Sequence, residues 1–323
     1  MRRSVWRVIA ALAFGVLAFT GADVRAQDWP ARPIRIVVPF PAGSATDLIA
    51  RLVGKDMSET LNQAVVIENK PGAGGAIGAD QVAHSAPDGY ALLLASNTQY
   101  AANVSLYKKL SYDPAKDFAP VARLSTQPTA LLVRPDFPAR TLAEFVSYAK
   151  ARPGKLSGGY GSASAQVAVA RLEKLAGLDV LEVPYKGIPL AVADVIGGTI
   201  DFTFGDMGSA LAQTEGGKMR ALVVTSAARS PLRPDWPAAA ETYKGFEVVG
   251  WHALAAPAGT PPAIVQKLQD AALKAVAKPQ VIESLAKLGV DPAPLPAAQL
   301  GSFITSEIAR WADMIKEAGI PAE

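Results

Sequence analysis

The chain has 323 residues, 32 Lys+Arg against 29 Asp+Glu, two histidines and no cysteine. The absence of cysteine excludes thiol chemistry and Cys-ligated metals, and it leaves stability to the hydrophobic core. The excess of basic residues lies in the first 26 positions, where Arg2, Arg3, Arg7 and Arg25 face Asp23; the remainder carries 28 of each sign, so no basic domain argues for nucleic acid or a membrane surface.

Those first residues read as an export signal. Three arginines precede an apolar stretch from Val8 to Thr20, and Val24-Arg25-Ala26 supplies the small residues of a cleavage site. The stretch is shorter than the roughly 20 apolar residues a membrane span needs. A chain cleaved after about Ala26 and located in the periplasm is expected, and residues 1–26 are set apart from the fold.

From Ile34 onward short apolar runs alternate with helical patterns. Strands are predicted at 34–40, 64–70, 90–96, 130–135, 156–161, 181–185, 201–206, 219–226 and 248–257. Helices are predicted at 46–61, 74–85, 141–151, 163–176, 188–197 and 207–215, then near 261–277, 279–288 and 296–318 with no strand among the last sixty residues. Strands separated by helices imply parallel sheets and an α/β class. Two segments look like crossings between lobes. One is FAPVARLSTQPTALLV, with strand-like halves about Gln127-Pro128; the other is FEVVGWHALAAP. They divide the chain into 27–128 plus 249–323 and 129–248, with a ligand cleft between.

The first strand ends in VVPFPAGSATD, residues 37–47. Its prolines and Gly43 suit a tight turn with Ser44 or Thr46 capping the next helix. The same turn bares helix N–H groups that can seat an anion, and Gly43 would let backbone come close to it. NKPGAGGAIGADQVA, residues 69–83, has a glycine spacing used by some dinucleotide folds. However, the next strand ends in Ser96 where a ribose-binding acid is expected, so close packing is the better reading. GGYGSASAQVAVARL, residues 158–172, repeats the strand-to-helix logic of the opening turn. It lacks the G-x-S-x-G of a nucleophile elbow. His84 lies at a helix end and His252 on a crossing strand, which leaves no triad. In VPYKGIPLAVADVIGGTIDFTFGDMGSA, Asp206 stands at a strand end, either capping a helix or reaching into the cleft, and Lys186 is either a surface charge or a positive group near an anion. No His/Asp/Glu cluster suggests a metal.

Taken together, DWPARPIRIVVPFPAGSATDLIARLV, VIENKPGAGGAIGADQVAHSAPDGYALLLAS, YGSASA, VPYKGIPLAVADVIGGTIDFTFGD and GWHALAAPAGTPPAIVQKL resemble the Bug (TctC-like) extracytoplasmic solute receptors, from about Trp29 to the C-terminus. The resemblance implies a two-lobed Venus-flytrap fold of two α/β domains joined by hinge strands. It implies a small organic acid as ligand, no cofactor, no turnover, and the membrane subunits of a tripartite tricarboxylate transporter as partners of a monomer. It also implies contacts from Ala42, Gly43, Ser44, Ala45, Thr46 and Asp47 in the first loop and from Gly161, Ser162, Ala163, Ser164 and Gln166 in the second. Ser96, Asn97 and Thr98, the turn Tyr185, Lys186 and Gly187, and Asp206 complete the implied set. The chain departs from many relatives in placing Ser44 where they carry a second glycine. Its second loop lacks their nearby histidine, so Gln166 and the alanines reshape that side of the pocket. A secreted hydrolase or isomerase, and a ligand sensor of the same fold, are the alternative functions.

Overall fold

The computed structural model describes residues 29–323; the export signal lies outside the described residues. From Arg32 onward the chain forms one compact unit. Its strands are β1 (Ile34–Val38), β2 (Val65–Asn69), β3 (Ala91–Ser96), β4 (Phe118–Val133), β5 (Ser157–Tyr160), β6 (Leu181–Pro184), β7 (Phe202–Asp206), β8 (Arg220–Val224), β9 (Val249–Pro257) and β10 (Asp291–Pro296). The helices are α1 (Ala45–Leu61), α2 (Ala76–Ala83), α3 (Asn103–Leu106), α4 (Leu142–Lys150), α5 (Ala163–Ala176), α6 (Ile188–Gly197), α7 (Met207–Glu215), α8 (Pro262–Val276), α9 (Pro279–Lys287) and α10 (Ala297–Ala318).

The strands follow the order β2-β1-β3-β9-β4-β7-β5-β6, with β8 and β10 also paired to β4. The outer pairs β1–β2, β1–β3, β5–β6 and β5–β7 are parallel, and each is reached through a helix, as a parallel connection requires. The central pairs β3–β9, β4–β9 and β4–β7 are antiparallel.

β4 is the pivot of this arrangement. From Phe118 to Pro128 it pairs with β9, and from Thr129 to Val133 it pairs with β7. The change of partner falls at Pro128, whose missing N–H cannot serve a ladder. The chain re-enters at Val249, opposite Pro128, after Val248 N–H has bonded Thr225 O at 2.9 Å.

The structure corrects the sequence reading at two places. Residues 291–296 form β10, which was expected to be free of strand; its register on β4 runs Asp291↔Thr126 and Pro292↔Ser125, then Leu295↔Arg123 and Pro296↔Ala122 across a bulge. The three prolines of DPAPLP hide a strand that survives at an edge, where few N–H donors are needed. The segment after β3, Thr98–Ala102, coils as a π-helical turn, a widened geometry that often marks functional positions.

That turn is pinned from below. Tyr100 stacks on Trp251 of β9 at 5.8 Å and 9°. Trp251 Nε1 donates to the buried Glu307 of α10 at 2.7 Å, and Trp311 Nε1 reaches the same carboxylate at 3.1 Å. A buried charge so supplied with donors is stabilised, and it locks α10 beneath the turn.

Candidate functional site

The loop between β1 and α1 is built to face two ways. Gly43 sits at φ +80, a backbone region open to glycine at little cost. Behind it, Ser44 Oγ accepts from Asp47 N–H at 3.3 Å while Asp47 Oδ2 accepts from Gly43 N–H at 2.9 Å, a reciprocal cap. Asp47 also accepts from Arg51 Nε at 3.0 Å and Asn69 Nδ2 at 2.9 Å, and Asn69 bonds Phe40 O at 3.1 Å. Burial alone would raise the Asp47 carboxyl, but the donors from Arg51, Gly43 and Asn69 outweigh it and hold it below the ordinary carboxylate range. Capping and exposure of the helix end therefore coexist: Ser44 Oγ and Asp47 cap from the rear, and the front edge is left to a cavity.

That cavity takes Ser44, Ala45 and Thr46 from this loop. The turn between β5 and α5 answers it. Gly161, Ser162 and Ser164 at the start of α5 line the same space, with Ser162 Oγ accepting from Ala165 N–H at 3.3 Å as the cap. The end of β3 and the start of the π-turn hold this second loop against β9. Ala163 N–H donates to Thr98 Oγ1 at 3.2 Å, Asn97 Nδ2 donates to Ser164 Oγ at 3.2 Å, and Asn97 Oδ1 accepts Trp251 N–H at 3.3 Å. Two helix N-termini thus converge on one inner chamber, and among the described residues its wall holds no lysine or arginine.

Asp206, at the end of β7, makes no cap bond to α7 and stands in the inner wall instead. Burial pushes its carboxyl up to about 6, partly offset by Ala45 N–H. His252 is buried in the same wall, its Nδ1 within 3.1 Å of Ser125 Oγ, and burial draws it down to about 4, so it is uncharged near neutral pH.

A second, outer chamber shares Phe40, Gly161 and Ser162 with the first. Thr98, Ala163, Gln166, Tyr185 and Lys186 line it, together with Asn103, Tyr107 and Tyr160. Tyr185 is held by its hydroxyl bond to Asp194 at 2.7 Å.

The implied residues are therefore distributed unevenly. Ser44, Ala45, Thr46, Ser96, Asn97, Ser164 and Asp206 face the inner chamber, while Gly161 and Ser162 serve both. Ala42, Gly43, Asp47 and Gly187 lie outside both walls: Ala42 and Gly43 are exposed, Asp47 faces its own donors, and Gly187 sits against Pro41. Residues absent from the implied contact set also appear. Gln127, Thr129 and His252 come from the crossing strands, and Asn103 and Tyr107 follow the π-turn. The legible signal for Gln127 and Thr129 was the polar cluster Ser125, Thr126, Gln127 and Thr129 midway along a strand that is apolar toward both ends. The glycine run of residues 72–75 is absorbed structurally: Gly74 O accepts from Gln99 Nε2 at 2.8 Å and from Asn103 Nδ2 at 3.2 Å.

Residues 49–320 match the profile of the tripartite tricarboxylate transporter family receptor, TctC. The chain belongs to the TctC receptor family. BugT of Bordetella pertussis (strain Tohama I) is 35% identical to this TctC-family receptor over 318 residues, covering 97% of the chain and 98% of BugT. The structure of the periplasmic binding protein BugD is similar with a TM-score of 0.87 at 35% identity, covering 91% of this chain and 100% of that one. A protein from R. palustris solved with adipate gives a TM-score of 0.89 at 32% identity, covering 92% and 100%. The receptor thus has the mixed α/β, two-lobed periplasmic binding-protein fold, and it is a solute-binding protein of a receptor family, not an enzyme. Among the described residues no helix is long and apolar enough to cross a membrane.

Proposed function

We propose that this TctC-family receptor captures a small organic acid in the cleft and presents its closed form to the membrane subunits of a tripartite tricarboxylate-type transporter. One ligand carboxylate sits in the inner chamber on the front N–H groups of α1 and α5, and the rest of the molecule occupies the outer chamber. The observation that carries this reading is the convergence of two capped helix N-termini on one chamber without a cationic side chain. Helix dipoles and N–H groups are well suited to a single carboxylate. The relative solved with adipate supports an acid of this size.

In the same reading the lobes are 27–128 plus 249–323 and 129–248. Their hinges lie where β4 changes partner after Pro128 and where the chain returns at Val249. The receptor works as a periplasmic monomer after removal of residues 1–26.

A thermal-shift screen against mono-, di- and tricarboxylates tests the proposal. An acid at 100 times its dissociation constant should add roughly 2.7 kcal/mol of stability, which moves the melting temperature by several degrees. The acid should be recovered chemically unchanged. No shift with any carboxylate would remove the seat.

A further inference from the structure

Asn103, a residue of the outer chamber's wall, keeps one buried polar atom that the protein leaves unanswered. Asn103 is fully buried and forms part of the chamber wall. Its Nδ2 donates to Gly74 O at 3.2 Å and to Tyr112 Oη at 3.3 Å. Tyr112 spends its own hydroxyl hydrogen on Gln99 O at 2.8 Å, so toward Asn103 it can only accept. Gly74 O is likewise an acceptor. These two partners fix which end of the amide is nitrogen, because the reversed amide would set oxygen against oxygen on both sides. Both Nδ2 hydrogens are then used, and Asn103 Oδ1 remains buried with no partner.

Gln99, one turn earlier, shows how complete the surrounding network is. Its Nε2 donates to Gly74 O, and its Oε1 accepts from Ser96 N–H at 3.2 Å and Ser96 Oγ at 3.4 Å. Asn97 and Thr98 are also bonded at their side chains. An orphaned buried acceptor in such a setting is uncommon. Gln166, Lys186, Tyr107 and Tyr160 are polar groups of the same wall, yet none of them bonds it.

We propose that Asn103 Oδ1 is the acceptor for a hydrogen-bond donor carried by the ligand, so that the preferred ligand is a carboxylic acid bearing an O–H or N–H at the end remote from the seated carboxylate. This rests on the carboxylate seat proposed above and names the class of acid it serves. A second free carboxylate directed at Asn103 would meet the lone pairs of its Oδ1, while Lys186 and Glu323, of opposite charge, both belong to the wall. A hydroxyl, amide or amine would donate to that atom. Tyr107, Tyr160 and Tyr185 contribute aromatic side chains to the wall around the body of such a molecule.

The test is calorimetric and uses matched ligands with the purified protein: 6-hydroxyhexanoate against heptanoate and adipate, and 4-hydroxybenzoate against 4-methylbenzoate. In a series that binds, the hydroxyl member is expected to bind at least tenfold more tightly than its methyl counterpart, and 6-hydroxyhexanoate more tightly than adipate. Asn103→Leu should bring the hydroxyl-to-methyl ratio close to one; if that variant does not fold, the wild-type ratios decide. Equal or tighter binding of the methyl acids would overturn the inference, as would a ratio that survives in folded Asn103→Leu. In either case the carboxylate seat would stand. Absence of binding by every acid would remove the seat and this inference together.

Discussion

Two aspartates lie close to the start of α1, and their surroundings push them in opposite directions. Asp47 is held below its ordinary range by Arg51, Gly43 and Asn69 despite burial, so it contributes stability above the unfolded carboxylate pKa and loses it as pH falls through the lower folded value. Asp206 is raised by burial from 3.8 to about 6. Its contribution is fully present below about pH 4 and is lost as pH rises through about 6. At neutral pH the fold therefore carries an ionised carboxylate in a poorly hydrated wall. Asp206→Asn should be more stable than wild type at pH 7.5 by on the order of 2–3 kcal/mol, since a tenfold change in proton affinity on folding is worth about 1.4 kcal/mol. The difference should vanish below pH 4, where both carry a neutral group. A seated ligand carboxylate would raise Asp206 further, so wild-type affinity should weaken between pH 6 and 8 and the variant's should be flatter. Urea melts and titration calorimetry across pH 4–8 check both. Parallel stability curves for the two proteins would refute the assignment.

At the level of the element, the turn before α1 is shaped by backbone conformation more than by side-chain space. A Cβ at Gly43 would meet nothing within 4 Å, yet its φ of +80 is one that branched residues resist. Valine there favours an extended backbone, which would break the Gly43 N–H bond to Asp47 and swing Ser44, Ala45 and Thr46 away from the chamber. Gly43→Val is expected to cost about 1–3 kcal/mol in stability and to weaken carboxylate binding. Gly43→Asn, which tolerates a left-handed backbone, should lose much less of both. If calorimetry and urea melts cannot tell the two variants apart, the conformational account is wrong. The sequence showed this turn plainly, because glycine, proline and small hydroxyl residues between an apolar run and a helical pattern have few other uses. It showed the strand and helix sequence for the same reason, through periods of two and 3.6. It did not show β10, since prolines lack the N–H that defines a strand pattern. Nor did it show Asn103 or Gln127, whose position at the chambers depends on a π-turn and on a strand crossing between sheets. Local periodicity cannot report contacts of that range.

Across the whole molecule, on the lobe division proposed above, the chambers and the contacts between the lobes are made of the same residues. Thr98 meets Ala163, Asn97 meets Ser164, and Ala45 faces Asp206, so a ligand bound among them favours the arrangement seen here. Pro41 and Gly187 add a contact without polar groups. A Cβ built on Gly187 would lie 2.6 Å from Pro41 Cδ, whereas its φ of 176 is extended and open to any residue. Gly187→Ala therefore sets a methyl group against the proline ring across the cleft and introduces no backbone strain within its own lobe. On the lobe division proposed above, the substitution disfavours closure while sparing the fold. Apparent affinity falls with the fraction of molecules able to close, so a penalty of about 1.4 kcal/mol would weaken binding tenfold. The urea midpoint without ligand should change little. Small-angle scattering should show wild type becoming more compact on saturation with its acid and the variant becoming less so at equal occupancy. If Gly187→Ala binds and compacts as wild type does, Pro41 and Gly187 do not set the closed geometry, and it is left to the polar contacts of Asn97, Thr98 and Asp206.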